Sequence, residues 1–146
     1  MRSLIVLSLL GLIGFSFKHM TILITPSMNH TLYVFSSALP QKGDRVNFWF
    51  QHPLVLDNKR VKFVKKIRCV AGDNLVFGND MFFCNGDLIG MASPIKLAGK
   101  TIPVFEFNGV IPDGMAFVLG ESPNSFDSRY WGFISMSKMT RLIPII

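Results

Sequence analysis

Lys65 lies in the middle of Arg60 to Asp73, RVKFVKKIRCVAGD. Val61, Phe63, Val64, Ile67, Cys69 and Val70 give this stretch the composition of a β-strand. Side chains of a strand alternate between two faces. One face carries Val61, Phe63, Lys65, Ile67 and Cys69, and the other carries Lys62, Val64, Lys66, Arg68 and Val70. Lys62, Lys66 and Arg68 share the wetter face. Lys65 has apolar same-face neighbours on both sides, and desolvation disfavours its ammonium form. A neutral lysine amine near pH 7 can act as a general base. The opposing reading is a lysine that buries its stem and keeps its head in water. A base needs a nucleophile, and Ser27, stiffened by Pro26, is one candidate. A turn serine ordinarily bonds only the backbone, and its hydroxyl is weak until a base takes its proton. A third polar group lies in Gly120 to Ile134, GESPNSFDSRYWGFI, a glycine-bounded loop. Asp127 and Arg129 fall on one side if this segment is extended, which favours a bracing pair over direct chemistry. The hydroxyl of Ser125 is suited to orienting a neutral amine.

Many short strands and frequent turns must position these groups. Leu32–Phe35, Arg45–Phe50, Leu75–Phe77, Met81–Cys84, Val104–Phe107 and Met115–Leu119 read as strands beside the Lys65 strand. Asn85–Gly86 is a hairpin signal, and Val46, Phe48 and Phe50 share a face. No amphipathic helix is evident. The pattern predicts an all-β domain, closed or folded on itself. Ahead of it, Ser3 to Phe17 is uncharged, preceded by Arg2 and followed by Lys18 and His19. No small-residue cleavage site follows directly, so the expectation is an uncleaved membrane anchor rather than a removed signal. Residues 1–24 are then anchor and approach, and residues 25–146 the catalytic core. Arg2 favours an orientation that places the core across the cytoplasmic membrane.

The chain has 146 residues, is 49% hydrophobic and 16% charged, and carries a formal charge of +6. That length suits one small domain plus an anchor. The positive balance is compatible with an anionic partner, but no zinc-finger or helix-turn-helix pattern supports nucleic acid. The two cysteines, Cys69 and Cys84, lack CxxC spacing, which disfavours a metal site. A disulfide between them stays open, depending on the compartment.

Three separated segments carry a resemblance. TPSM at Thr25–Met28, FVKKIRCVAGD at Phe63–Asp73 and GESPNSFDSRYWGF at Gly120–Phe133 are similar to the boxes of the type I signal peptidases, the S26 peptidases, which use a Ser–Lys dyad. KGDRVNF at Lys42–Phe48 and FNGVIPDGMAFVLGESPNSFDSRYWG at Phe107–Gly132 resemble more closely the conjugative-transfer signal peptidases of the TraF type. Only about 46 residues separate Asp73 from Gly120, too few for the large extra β-domain of the longer leader peptidases. The resemblance implies a signal-peptidase-like closed β core behind an N-terminal membrane-anchoring helix. It implies Ser27 as nucleophile and Lys65 as general base, since Lys65 and not Lys66 stands eight residues before Asp73. Thr25 and the Ser27 backbone N–H would hold the oxyanion. Ser125 would bond the lysine, and Asp127 with Arg129 would form the ion pair beneath the site. Ala71–Gly72 stands where the family usually has Pro–Gly, and GESPNS replaces the commoner GDNRDNS.

The expected function is therefore a serine endopeptidase anchored in the inner membrane with its catalytic domain on the outer, periplasmic side. It would act on a secreted or pilin precursor for conjugative transfer, by cleavage or cyclisation. The alternative is a housekeeping type I signal peptidase. Expected partners are the precursor protein and the lipid bilayer, without nucleic acid. No metal and no cofactor is required by this chemistry.

Overall fold

The computed structural model describes residues 20–22, 28–29, 32–53, 58–97 and 99–145. Its centre is the strand that carries Lys65, β4, Val61–Val70. Phe63, Lys65, Ile67 and Cys69 turn inward, while Lys62 is exposed and Lys66 and Arg68 are half-buried. The alternation read from the sequence holds from Val61 to Ile67, although Val64 on the second face is buried as well. Beyond Ile67 a register shift against the neighbouring strand Met115–Leu119 turns Cys69 to the face opposite Ile67, so the expected placement of Cys69 on the Lys65 face is corrected. On one side β4 pairs antiparallel with β3, Arg45–Phe50, which sets Val46 opposite Lys65 and Phe48 opposite Phe63. On its other side it pairs with β11, Met115–Leu119, through a register shift between Phe117 and Val118. Such a shift re-aims the side chains beyond it.

Four more strands extend this trio. β1 (Met20–Ile22), β2 (Leu32–Phe35), β12 (Ile134–Ser135) and β13 (Thr140–Pro144) complete a seven-stranded sheet in the order β1-β2-β13-β3-β4-β11-β12. A second sheet runs β10-β5-β6-β7, built from β5 (Asn74–Gly78), β6 (Met81–Cys84), β7 (Asp87–Met91) and β10 (Asn108–Val110). β8 (Ile95–Leu97) and β9 (Lys100–Ile102) form a separate hairpin. The architecture is mainly β, as expected, and the seven-stranded and four-stranded sheets pack on each other. The main core lies between them. Cys69, Leu75, Phe82, Cys84, Ile111, Phe117 and Leu119 are all buried there. Burying one such large apolar side chain is worth about 1.5–3 kcal/mol. Behind β4, Val46, Phe48, Ile67, Ala116 and Val118 make a second cluster, and Met28, Tyr33, Val64 and Leu142 a third.

Local chemistry explains the turns. β4 ends in Val70–Asp73, closed by Asp73 N–H to Val70 O at 3.0 Å and by Val70 N–H to Asp73 Oδ2 at 3.0 Å. Gly72 takes φ +85°, which glycine reaches at no steric cost, so alanine in place of proline at position 71 leaves the turn intact. Asn85 and Gly86, both with positive φ, form the expected two-residue hairpin between β6 and β7. A disulfide joins Cys69 on β4 to Cys84 on β6 and ties the two sheets together.

Two expectations about local structure are corrected. Val104–Phe107 is not a strand. Pro103 has no N–H to offer a ladder, Phe105 N–H bonds Arg129 O at 2.7 Å, and the rings of Phe105 and Phe107 pack on Phe133. The Asp127–Arg129 segment is not extended, because Asp127 caps a single helical turn, α1, Ser128–Trp131. Met20–Ile22, within the stretch 1–24 expected as anchor and approach, forms strand β1 and pairs with β2. The apolar run Ser3–Phe17 lies outside the described residues. Among those described, no helix is long and apolar enough to cross a membrane.

Candidate active site

Lys65 enters the interior from the middle of β4 and is only 4% exposed. Its Nζ donates to Ser125 Oγ at 2.7 Å, and the ring of Phe63 lies 5.1 Å from the same nitrogen. The amine is held by one neutral hydroxyl inside an apolar wall. Burial lowers its pKa from an ordinary 10.5 to about 8, the nearby Asp127 raising it and Arg129 lowering it by smaller amounts. Lys66, one residue on, lies on the other face of the strand and has no such surroundings.

The loop that supplies Ser125 is held by a buried ion pair. Arg129 Nε and Nη2 donate to the two oxygens of Asp127 at 2.8 Å each, and both residues are buried. Asp127 also accepts the backbone N–H groups of Gly120, at 2.8 Å, and Arg129, at 3.2 Å. Arg129 further donates to the carbonyls of Met91, Ser122 and Ser125. The pair therefore fixes the backbone of residue 125 directly. Burial works against the guanidinium's charge, but the hydrogen bonds and charge of Asp127 outweigh it and hold Arg129 above its ordinary pKa. Ser128 Oγ accepts from Val118 N–H at 3.0 Å and locks α1 to β11. Gly132 ends the turn with φ +80°, and a Cβ there would meet the Phe105 ring at 2.9 Å.

Of the site residues expected from sequence, Lys65, Ser125, Asp127 and Arg129 come together as described. Ser27 and Thr25 lie outside the described residues. The residue after Ser27 does not: Met28 is buried against Tyr33, Val64 and Leu142, beside the strand that holds Lys65. Asn29 N–H donates to Glu121 Oε2 at 2.7 Å, and Glu121 Oε1 accepts from Arg45 at 2.6 Å. Sequence reasoning missed this clamp. A signal existed in hindsight, since Arg45 stands opposite Lys66 in the β3–β4 register. Two cations paired across strands need a nearby acid. Cys69, Asp73 and Cys84 converge as metal ligands would, but the two sulfurs are bonded to each other. Asp73 instead takes Lys42 at 2.9 Å, which helps hold its carboxyl below the usual range.

Residues 1–143 match the family described as signal peptidase, peptidase S26, and the chain belongs to that family. It is 30% identical over 105 residues to a probable signal peptidase I-2 of Synechocystis sp., an alignment covering 68% of this chain and 44% of that protein. It is 30% identical over 93 residues to signal peptidase I of Bacillus caldolyticus, covering 56% and 51%. The chain thus spans about half the length of these two relatives. It is 27% identical over 141 residues to the plasmid transfer protein TraF of Escherichia coli, covering 84% and 79%. Among solved structures, a signal peptidase I of Enterococcus faecalis aligns with TM-score 0.45 and 24% identity, over 74% of this chain and 99% of that one.

Proposed function

We propose that the chain is a serine endopeptidase in which Ser27 is the nucleophile and Lys65 the general base. The observation that carries this reading is the buried Lys65 amine, bonded among the described residues to the neutral hydroxyl of Ser125 and with its pKa lowered to about 8. Such an amine is partly unprotonated near neutrality and can take a proton. In the proposed reaction Ser27 Oγ attacks the scissile carbonyl carbon as its proton passes to Lys65 Nζ. The oxyanion rests on the Ser27 backbone N–H and the Thr25 hydroxyl. Losing one such donor typically costs about 100- to 1000-fold in rate. Lys65 then gives the proton to the departing amine and the C–N bond breaks. Finally it activates water, which releases the acyl group and restores Ser27. Ser125 keeps Nζ aimed throughout, and Asp127 with Arg129 keeps Ser125 in place.

The proposed substrate is an exported or pilin-type precursor, cut beside a membrane-embedded apolar stretch and within reach of an anchor in residues 1–24. The likeness to the plasmid transfer protein, which covers most of both chains, supports a role in conjugative transfer. The two signal peptidase I relatives support the second reading, general removal of signal peptides, equally well. Mass spectrometry of precursors incubated with the full chain in detergent tests the peptidase. Cleavage that persists in Ser27→Ala would refute the dyad. Deleting the gene separates the two substrates: loss of mating pili with normal secretion supports the first, and accumulation of many uncut exported proteins the second.

A further inference from the structure

A cavity of about 340 Å³ opens across β4 from Lys65. Lys66 and Arg68 line it, with Asn29, Ile89, Leu119 and Glu121. Three walls lead back to the proposed active site. Lys66 and Arg68 share the strand of Lys65, Leu119 and Glu121 run into the loop that holds Ser125, and Asn29 lies two residues after Ser27. Glu121 is an acid, but both its oxygens are engaged, one by Arg45 and one by the Asn29 N–H. Its charge is therefore neutralised at the cavity wall. Among the described residues neither Lys66 nor Arg68 has an acidic partner within ion-pair distance. Both are half-buried, so their charges face the cavity with less water around them than on an open surface. The cavity is thus a cationic recess with two apolar walls, Ile89 and Leu119.

From this we infer that the recess is a subsite for an acidic side chain of the precursor, with Lys66 and Arg68 as its specificity-determining residues. The inference rests on the peptidase reading above and adds a substrate feature to it. Arg68 is three residues from Lys65 on an extended strand, about 10 Å. Asn29, two residues after Ser27, stands on the wall of the recess, so a peptide held at Ser27 and running along β4 toward Arg68 would place the acid within about three residues of the scissile bond. The carboxylate would accept from the guanidinium of Arg68 and from Lys66 Nζ, while its methylene stem lies against Ile89 and Leu119.

The test is an Asp-to-Asn scan of a cleaved precursor peptide, three positions to each side of the cut, using the full chain in detergent at low salt. At one position the Asp peptide should show KM about fivefold below the Asn peptide with kcat unchanged, the order expected of a partly solvated ion pair. The preference should fade in high salt. It should vanish in Lys66→Gln/Arg68→Gln, which still cuts the Asn peptide at the original rate. In Lys66→Glu/Arg68→Glu it should reverse toward a Lys peptide. Equal KM for Asp and Asn at every position, with cleavage intact, overturns the subsite. So does a preference that survives both double variants. Absence of cleavage from every peptide refutes the peptidase reading instead, and the subsite with it.

Discussion

If Lys65 is the base, cleavage rate must follow its neutral fraction. With a pKa of about 8, about one lysine in ten is neutral at pH 7, against about one in three thousand for an ordinary lysine. Burial is thus worth about 300-fold in available base at neutrality. The expected profile of kcat/KM, measured on a precursor peptide without ionisable residues, rises tenfold per pH unit below about pH 8 and levels off above it. The same group makes an independent prediction about stability. Its folded-state pKa is depressed, so the native state binds fewer protons than the unfolded chain between about pH 8 and 10.5. Native stability should therefore rise with pH across that window. The penalty is fully present below pH 8 and amounts to about 3 kcal/mol at most. Replacing Lys65 with Met removes it, so Lys65→Met should be inactive yet more stable than the native protein at pH 7. The gain is reduced by whatever it costs to leave Ser125 Oγ without its donor. Denaturant unfolding of both proteins from pH 6 to 10, taken as a difference, isolates this group from other titrating lysines. A flat pH–rate profile, or a Lys65→Met protein less stable at every pH, would refute the reasoning.

Other variants test neighbouring links. Lys65→Arg should abolish cleavage as fully as Ser27→Ala, because a guanidinium cannot lose its proton in a protein; Lys66→Ala should keep the rate on a peptide without acidic residues, and the opposite ranking in a peptide assay would show that the wrong lysine was chosen. Asp127→Ala strands a buried Arg129 and should cost about 3–5 kcal/mol by denaturant unfolding, while Asp127→Ala/Arg129→Met should recover part of that loss; additive losses would mean that the pair is not coupled. The Cys69–Cys84 bridge closes a loop of about 15 residues, so Cys69→Ala/Cys84→Ala should lose about 3 kcal/mol; unchanged melting with and without a reductant would show that the bridge carries no stability.

How far the sequence could be read depended on how local the determinants were. Arg45–Phe50 emerged with the bounds observed, since β-branched and aromatic residues alternate between two clear turns. The inward aim of Lys65 followed from the same two-residue period. β13 gave no comparable signal: Thr140–Pro144 contains a proline and joins a sheet only because β2 and β3, distant in sequence, leave a gap between them. Val104–Phe107 misled for the converse reason. Its alternating phenylalanines are half-buried against the core as strand residues would be, but by ring packing from an irregular backbone. The Asp127–Arg129 pair was expected from extended geometry and is made by a helical turn, in which Asp127 caps the first N–H groups while gripping the guanidinium. An arginine side chain is long enough to reach a carboxylate two residues away in either conformation, so their pairing was legible and its backbone was not. The Glu121 clamp depends on contacts 76 and 92 residues apart in sequence, and no local pattern announces those.

An acid in contact with Lys65 would make it a worse base, because an opposite charge nearby favours the ammonium. The site contains an acid, Asp127, yet the amine's pKa is low. The reason lies in how that acid is occupied. Two Arg129 nitrogens and two backbone N–H groups take its lone pairs, so Asp127 and Arg129 act on Lys65 as a near-neutral unit whose two effects oppose each other. Desolvation is left to dominate. The Phe63 ring works the other way, since a cation over an aromatic face gains about 0.5–1 kcal/mol or somewhat more when dry, too little to offset burial. Ser125 completes the arrangement, because a neutral hydroxyl can bond the amine in either protonation state. It fixes direction while leaving the proton free to move. Substituting Ser125 by Asp should therefore keep the lysine in position and still silence it at pH 7, with activity recovering only as pH climbs toward the ordinary lysine range.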